Sequence, residues 1–88
     1  MAFEYNSEKN KLNKKNHGID FEESKIIFDD PNLVSFESVQ FRDGEYRDIH
    51  LGMSVKGILY VVTTERGKSI RIISARKATK NEQAQYHL

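Results

Sequence analysis

LVSFESVQFRDGEYRDIHLGMSVKGILYVVTTERGKSIRIIS, running from Leu33 to Ser74, is the stretch whose reading decides the fold. Leu33 to Val39 sets Leu33, Ser35, Glu37 and Val39 on one parity and Val34, Phe36 and Ser38 on the other, the period of a strand. Arg42, Asp43, Gly44 and Glu45 have turn chemistry, and Tyr46 to Ser54 resumes the strand through Ile49, Leu51 and Met53. Lys56 and Gly57 turn the chain again into Ile58 to Thr64, an unbroken β-branched and aromatic run. Arg66, Gly67 and Lys68 then lead to a last strand over Ser69 to Ser74. Turns this short connect neighbouring strands that run in opposite directions, so the four strands predict an antiparallel meander.

Helical patterns flank the meander. Asn6 or Ser7 offers a capping oxygen to a Lys- and Asn-rich helix that ends at His17 and Gly18, where glycine takes the left-handed C-cap. Leu12 is almost its only apolar residue, so it buries a narrow stripe. Asp20 and Glu23 are spaced as a capping pair for a second helix carrying Phe21, Ile26, Ile27 and Phe28, which Asp29, Asp30 and Pro31 stop. Thr79 and Glu82 have the same spacing at the head of a short helix through Tyr86. The expected fold is a single α+β domain over residues 1–88, an antiparallel four-stranded sheet with two N-terminal helices and a short C-terminal helix on one face. Ala2 to Tyr5 is a candidate fifth strand.

A chain of 88 residues has room for one core, which excludes a multidomain enzyme. No cysteine is present, which excludes disulfide frameworks, cysteine-based zinc sites and thiol nucleophiles together. Nothing near the N-terminus reads as a secretory signal, and no apolar run approaches the ~18 residues of a bilayer span. The expectation is a cytoplasmic protein without a membrane partner. The net charge of +1 hides an asymmetry: residues 1–41 hold five Lys against eight acids, while residues 42–80 hold nine cations against four acids, five of the nine being Arg. A planar guanidinium fork suits phosphate, so the second half is compatible with nucleic acid.

Arg71 and Arg76 bracket the end of the last strand, with Lys77 and Lys80 beside them. In so apolar a strand, Arg71 must cross to solvent or enter a polar cleft. His17, His50 and His87 lie 33 and 37 residues apart and match no compact metal-ligand spacing, so neither a metal nor another cofactor is expected. His17 sits at a helix end near Lys14 and Lys15, whereas His50 falls within strand alternation and reads as structural. Phosphate loops, nucleophile elbows and zinc-protease motifs are all missing. What remains is acid-base and electrostatic chemistry by His, Arg, Lys, Tyr and Glu. That kit suits RNA cleavage by the substrate's own 2′-hydroxyl, in which cations stabilise charge gathering on the phosphoryl oxygens. A non-catalytic basic module that docks on RNA or protein fits the same composition.

Four ordered segments resemble the BrnT family of ribonuclease toxins: FEYNSEKNKLNKKNHGIDFEES (Phe3 to Ser24), FDDP (Phe28 to Pro31), Arg47 followed by IHLG (Ile49 to Gly52), and ERGKSIRIISARKATKNE (Glu65 to Glu82) with Tyr86. The resemblance implies a RelE-like fold and a metal-independent endoribonuclease of a bacterial type II toxin-antitoxin pair. It also implies neutralisation by a BrnA-like antitoxin, in a hetero-oligomer that extends to a heterotetramer if the antitoxin dimerises, and contact with operator DNA only through that antitoxin. By the same resemblance Arg71, Arg76, His17 and Arg47 fall on family positions; the catalytic candidates are then Arg71 and Arg76, with His17 or Tyr86 as acid or base, and the cations expected to steer the RNA backbone are Lys14, Arg47, Arg66, Lys77 and Lys80. Tyr5, Asn6 and Asn16 stand where the family usually has Trp, Asp and a basic residue, a departure that touches the first helix and spares the arginine-bearing end.

Overall fold

In the computed structural model, which describes residues 2–88, the elements follow in the order β1 (Ala2–Glu4), α1 (Ser7–His17), α2 (Phe21–Ser24), a 3-10 turn (Lys25–Asp29), β2 (Val34–Arg42), β3 (Glu45–Ser54), β4 (Gly57–Arg66), β5 (Ser69–Lys77) and α3 (Lys80–Tyr86). The expected meander is present as β2–β3–β4–β5. Its hairpins are tight: Arg42 pairs with Glu45 and Arg66 with Ser69, leaving two residues in each loop. At the first of these Asp43 and Gly44 have φ of 53° and 79°, the paired positive angles of a turn whose twist matches the flanking strands.

The candidate strand at Ala2 is the fifth of the sheet, and because it runs parallel to its neighbour the sheet is mixed and not antiparallel throughout. Its order is β1-β5-β4-β3-β2, and β1 pairs in parallel with β5 through Ala2↔Ser69, Phe3↔Ile70 and Glu4↔Arg71. Parallel pairing of the first and last strands requires the whole intervening chain as a crossover, so no local pattern announces it. Where β1 stops, Asn13 of α1 takes over the edge of β5: its carboxamide donates to the Ala75 carbonyl at 2.8 Å and accepts from the Ala75 N–H at 3.1 Å. This accounts for a buried asparagine in an otherwise polar helix.

The second expected helix is shorter as an α-helix than its pattern suggested. Asp20 and Glu23 form the capping box, but after one turn the chain tightens into the 3-10 segment. The reason lies in burial: Phe21, Ser24 and Ile27 are each 0% exposed and three residues apart, a line that only winding at three residues per turn keeps facing the sheet. Ile27 then lies so close to β3 that a Cβ on Gly52 would fall 2.6 Å from its own Cβ.

The helices occupy both faces of the sheet, which corrects the expectation of one. Leu59 and Val61 of β4 pack with Ile19, Phe21, Ile27, Ile72 and Ala75 in the main core. Their strand neighbours Ile58 and Tyr60 point the other way and pack with Leu51, Ala78 and Tyr86, so α3 covers one end of the opposite face. The remainder of that second face is uncovered by helix.

Candidate ribonuclease site on the open face

Residues opposite one another on adjacent strands share a face, so the register reads out what the open face carries. One row is Arg76, Tyr60, Leu51 and Val34; the next is Ser74, Val62, Ile49 and Phe36. A third begins with Glu4, Arg71 and Thr64. Continuing the Asp48↔Thr63 register by one step adds Arg47 beside Thr64, and Gln40 pairs with Arg47. The Arg66–Glu45 contact at 3.6 Å lies on the same register still further along.

Arg71 and Arg76 are five residues apart, and in an unbroken strand that odd separation would send them to opposite faces. Ile73 removes the problem. Val62 pairs with Ser74 and Thr63 with Ile72, so Ile73 is the unpaired residue of a bulge that resets the alternation and turns both guanidinium groups to the open face. Four register steps along β4 separate their partners Tyr60 and Thr64, about 13 Å at strand spacing. The two arginines therefore flank the open face and do not form one cluster.

Their surroundings differ. Arg76 stacks on the Tyr60 ring, with Cζ 3.9 Å from the centroid, and donates from both terminal nitrogens to the two oxygens of Glu82 at 2.8 and 2.9 Å. The Glu82 carboxyl is held below the usual carboxylate range by these bonds, and Arg76 is held more firmly charged by the same contact. Glu82 also closes the α3 capping box, so this pair ties α3 to β5. Among the described residues Arg71 makes one longer polar contact, Nε to Glu4 Oε1 at 3.3 Å. Arg47 is largely enclosed, approaches Asp43 at 3.8 Å, and leaves its Nε buried without a hydrogen-bond partner. Beside α3 the open face holds a groove of about 390 Å³ with Phe36, Val39, Ile49, Leu51 and Tyr60 along its floor and Glu82 and Gln85 on its α3 wall.

The other residues singled out in the sequence lie elsewhere. His17 is at the exposed end of α1, a corner where Lys56 Nζ donates to the Gly18 carbonyl and Glu23. Lys14, on the same helix, lies 3.6 Å from Asp20. Tyr86 is buried in the second core, and its hydroxyl donates to Asp30 Oδ2 at 2.6 Å, a bond that raises the phenol above its ordinary pKa. Arg66 is at the β4–β5 hairpin, with Lys77 and Lys80 at the far end of β5 and the start of α3. His50 is buried on the helix-covered face between Ser35 Oγ and Thr63 Oγ1, both at 2.8 Å, and its burial lowers the pKa of the ring. Among the described residues no group of three His, Asp or Glu side chains gathers as metal ligands would.

One neighbour of Arg71 escaped the sequence reading. Glu4 reaches the open face only because β1 joins β5. Its signal was alternation: Phe3 and Tyr5 pack on the main core, so Glu4 between them must point the other way.

Residues 5–82 match the family described as ribonuclease toxin, BrnT, of type II toxin-antitoxin system. The chain belongs to that family. No curated protein shows a match to it. Membership in the BrnT family makes RNA the substrate class and an antitoxin the partner class, and the matched stretch includes Arg47, Arg71 and Arg76. Glu4 and Tyr86 fall just outside it.

Proposed function

We propose that this BrnT-family chain cleaves RNA on the open face of the sheet, with the scissile phosphate at Arg71 and Arg47 and the flanking strand running toward Arg76. The observation that carries the reading is the Ile73 bulge, which turns Arg71 and Arg76 to one uncovered face. Arg71 has donors to spare, and the orphaned Nε of Arg47 is a costly group to bury unless a ligand satisfies it. In this mechanism the substrate's 2′-oxygen attacks phosphorus, the 5′-oxygen leaves, and the guanidinium groups stabilise the charge on the phosphoryl oxygens without a metal. Arg76 holds the neighbouring nucleotide by its charge and by the flat surface it forms with Tyr60. Arg66 and Lys80 steer the RNA backbone from the two ends of β5, whereas Lys77, opposite Leu59 in the register, faces the helix-covered side and has no place on this path. His17 and Lys14 have no place at the reacting phosphate in this reading, and Tyr86 acts by packing α3.

A cognate BrnA-like antitoxin would silence the enzyme by laying an acidic segment across the same face, and its own dimerisation would give the heterotetramer and the operator contact. The pair would act in the cytoplasm. End-group analysis of RNA incubated with the purified chain tests the reading. The expected products are a 2′,3′-cyclic phosphate and a 5′-hydroxyl, formed equally well in EDTA. A 5′-phosphate product, or cleavage abolished by EDTA, overturns it. Binding of RNA without any cleavage would instead make the chain a docking module.

A further inference from the structure

Cleavage by a 2′-hydroxyl needs a base, and the open face offers few. No histidine is beside Arg71: His50 is buried on the covered face, His17 is at the end of α1, and His87 follows α3 at the opposite end of the open face. Glu82 has both carboxylate oxygens engaged by Arg76, and Oε1 also accepts the Thr79 N–H. Its lowered pKa makes it a still poorer proton acceptor. Glu4 differs in its contacts. It is directly opposite Arg71 in the β1–β5 register, its side chain is 41% exposed, and its one polar contact among the described residues is the 3.3 Å approach of Arg71 Nε to Oε1.

Resting on the ribonuclease reading above, we infer that Glu4 is the general base of the reaction. A phosphate bound by the terminal nitrogens of Arg71 sits beside the Glu4 carboxylate, within reach of the 2′-hydroxyl of the preceding ribose. Glu4 takes the hydroxyl proton as the O2′–P bond forms, the P–O5′ bond breaks, and the departing 5′-oxygen takes a proton from water. The protonated Glu4 then returns its proton to solvent. Arg71 thus has two tasks: it holds the phosphate with its outer nitrogens and the base with its inner one, fixing their separation. The three-residue β1 accordingly belongs to the site as well as to the sheet.

Three variants test this on a defined RNA under single-turnover conditions, each checked for native circular dichroism. Glu4→Gln keeps the shape and a hydrogen-bond acceptor for Arg71 while removing the base, and should slow cleavage by about 100-fold or more. Glu4→Asp should retain part of the rate. Glu4→Ala should be inactive alone and regain activity with added imidazole, in proportion to the free base, because a neutral base can accept the proton but cannot replace the ion pair with Arg71. Glu4→Gln cutting at nearly the parent rate overturns the inference. A slow Glu4→Ala that imidazole does not revive also overturns it and leaves Glu4 as a residue that positions Arg71. Failure of the ribonuclease reading is distinct: the folded parent chain itself then cuts no RNA, and both proposals fall.

Discussion

The two faces of one sheet are built to opposite rules. On the covered face α1, α2 and the 3-10 turn bury Ile72, Ala75, Val61 and Leu59, and the polar groups drawn in with them are matched: His50 between two hydroxyls, Asn13 on both polar atoms of Ala75. On the open face a helix covers one end only, and the register carries Arg47, Arg71 and Arg76, one of them with a buried nitrogen left unpaired. A fold of this size has little stability to spare, and unmatched polar groups cost it some. The one such group among the described residues, Arg47 Nε, lies on the open face, where we propose that RNA binds.

Adjacent residues of β5 break or sharpen this contrast most directly. Arg71 faces outward and Ile72 inward, 1% exposed in the main core. Arg71→Ala should lower RNA cleavage by roughly 10²–10³, the range for removing one donor to a developing oxyanion, while the melting temperature stays near the parent's. Ile72→Ala should do the reverse, lowering stability by about 2–5 kcal/mol in urea denaturation while the folded fraction keeps its specific activity. If each variant shows both defects, the two faces are not separable and the comparison fails.

A smaller loss is expected at Gly52, where the covered face tolerates no side chain. Gly52→Ala would place a methyl 2.6 Å from Ile27 Cβ and close to the Ile27 carbonyl, and the 3-10 turn must move to admit it. The expected cost is about 1–3 kcal/mol of stability. Chemical denaturation of this variant beside Ile72→Ala ranks the two, and no loss at Gly52 would show that the 3-10 turn is loosely seated.

How much of this was legible beforehand follows from the range of each interaction. The hairpins could be read because Asp43-Gly44 and Gly67-Lys68 specify turns within two residues. Both capping boxes, Asp20 with Glu23 and Thr79 with Glu82, were visible for the same reason. The parallel β1–β5 pair joins residues 67 apart, as in the Glu4–Arg71 contact, and nothing near either strand encodes the other. The bulge was hidden differently: RIISARK alternates acceptably on either side of Ile73, and only the partner strand reveals the skipped residue. Arg71 and Arg76 were therefore visible as candidates, while their shared face and the presence of Glu4 were not. The second face of helix was likewise missed, because Tyr86 looks like any apolar residue of a short helix, and Ala78 like any linker residue, until Ile58 and Leu51 are seen beneath them.

The covered face also predicts a pH response. His50 is neutral in its buried site, with burial holding its pKa below the ordinary value of about 6.5 that it regains on unfolding. Between those two values the unfolded chain binds a proton that the folded chain does not, so stability falls as pH falls from about 6.5. The carboxylates with shifted values, Asp20, Glu22, Glu23, Asp30 and Glu82, are all lowered and titrate below this window. Melting temperatures between pH 5 and pH 7 should thus decline on the acid side, and the decline should flatten in His50→Gln. An unchanged slope in that variant would move the effect to another group.

The smallest effects belong to the cations that only steer. Arg66 sits at the β4–β5 hairpin on the open-face parity of Thr64 and Lys80 at the start of α3, and each meets the RNA backbone as a point charge if the strand runs from Arg71 toward Arg76. Removing one should weaken binding alike for every RNA sequence and lower the slope of log affinity against log salt by about 0.7, the value for one phosphate contact on a single strand. Lys14→Ala, on the far side of Asp20, should leave that slope unchanged. Binding measured from low to physiological salt, with the cleavage step blocked by Arg71→Ala, gives the three slopes side by side. Because the open-face reading runs the RNA along β5 and away from α1, an equal loss at Lys14 and Lys80 would show that the strand wraps the helical edge, and the contrast between the faces would have to be redrawn around α1.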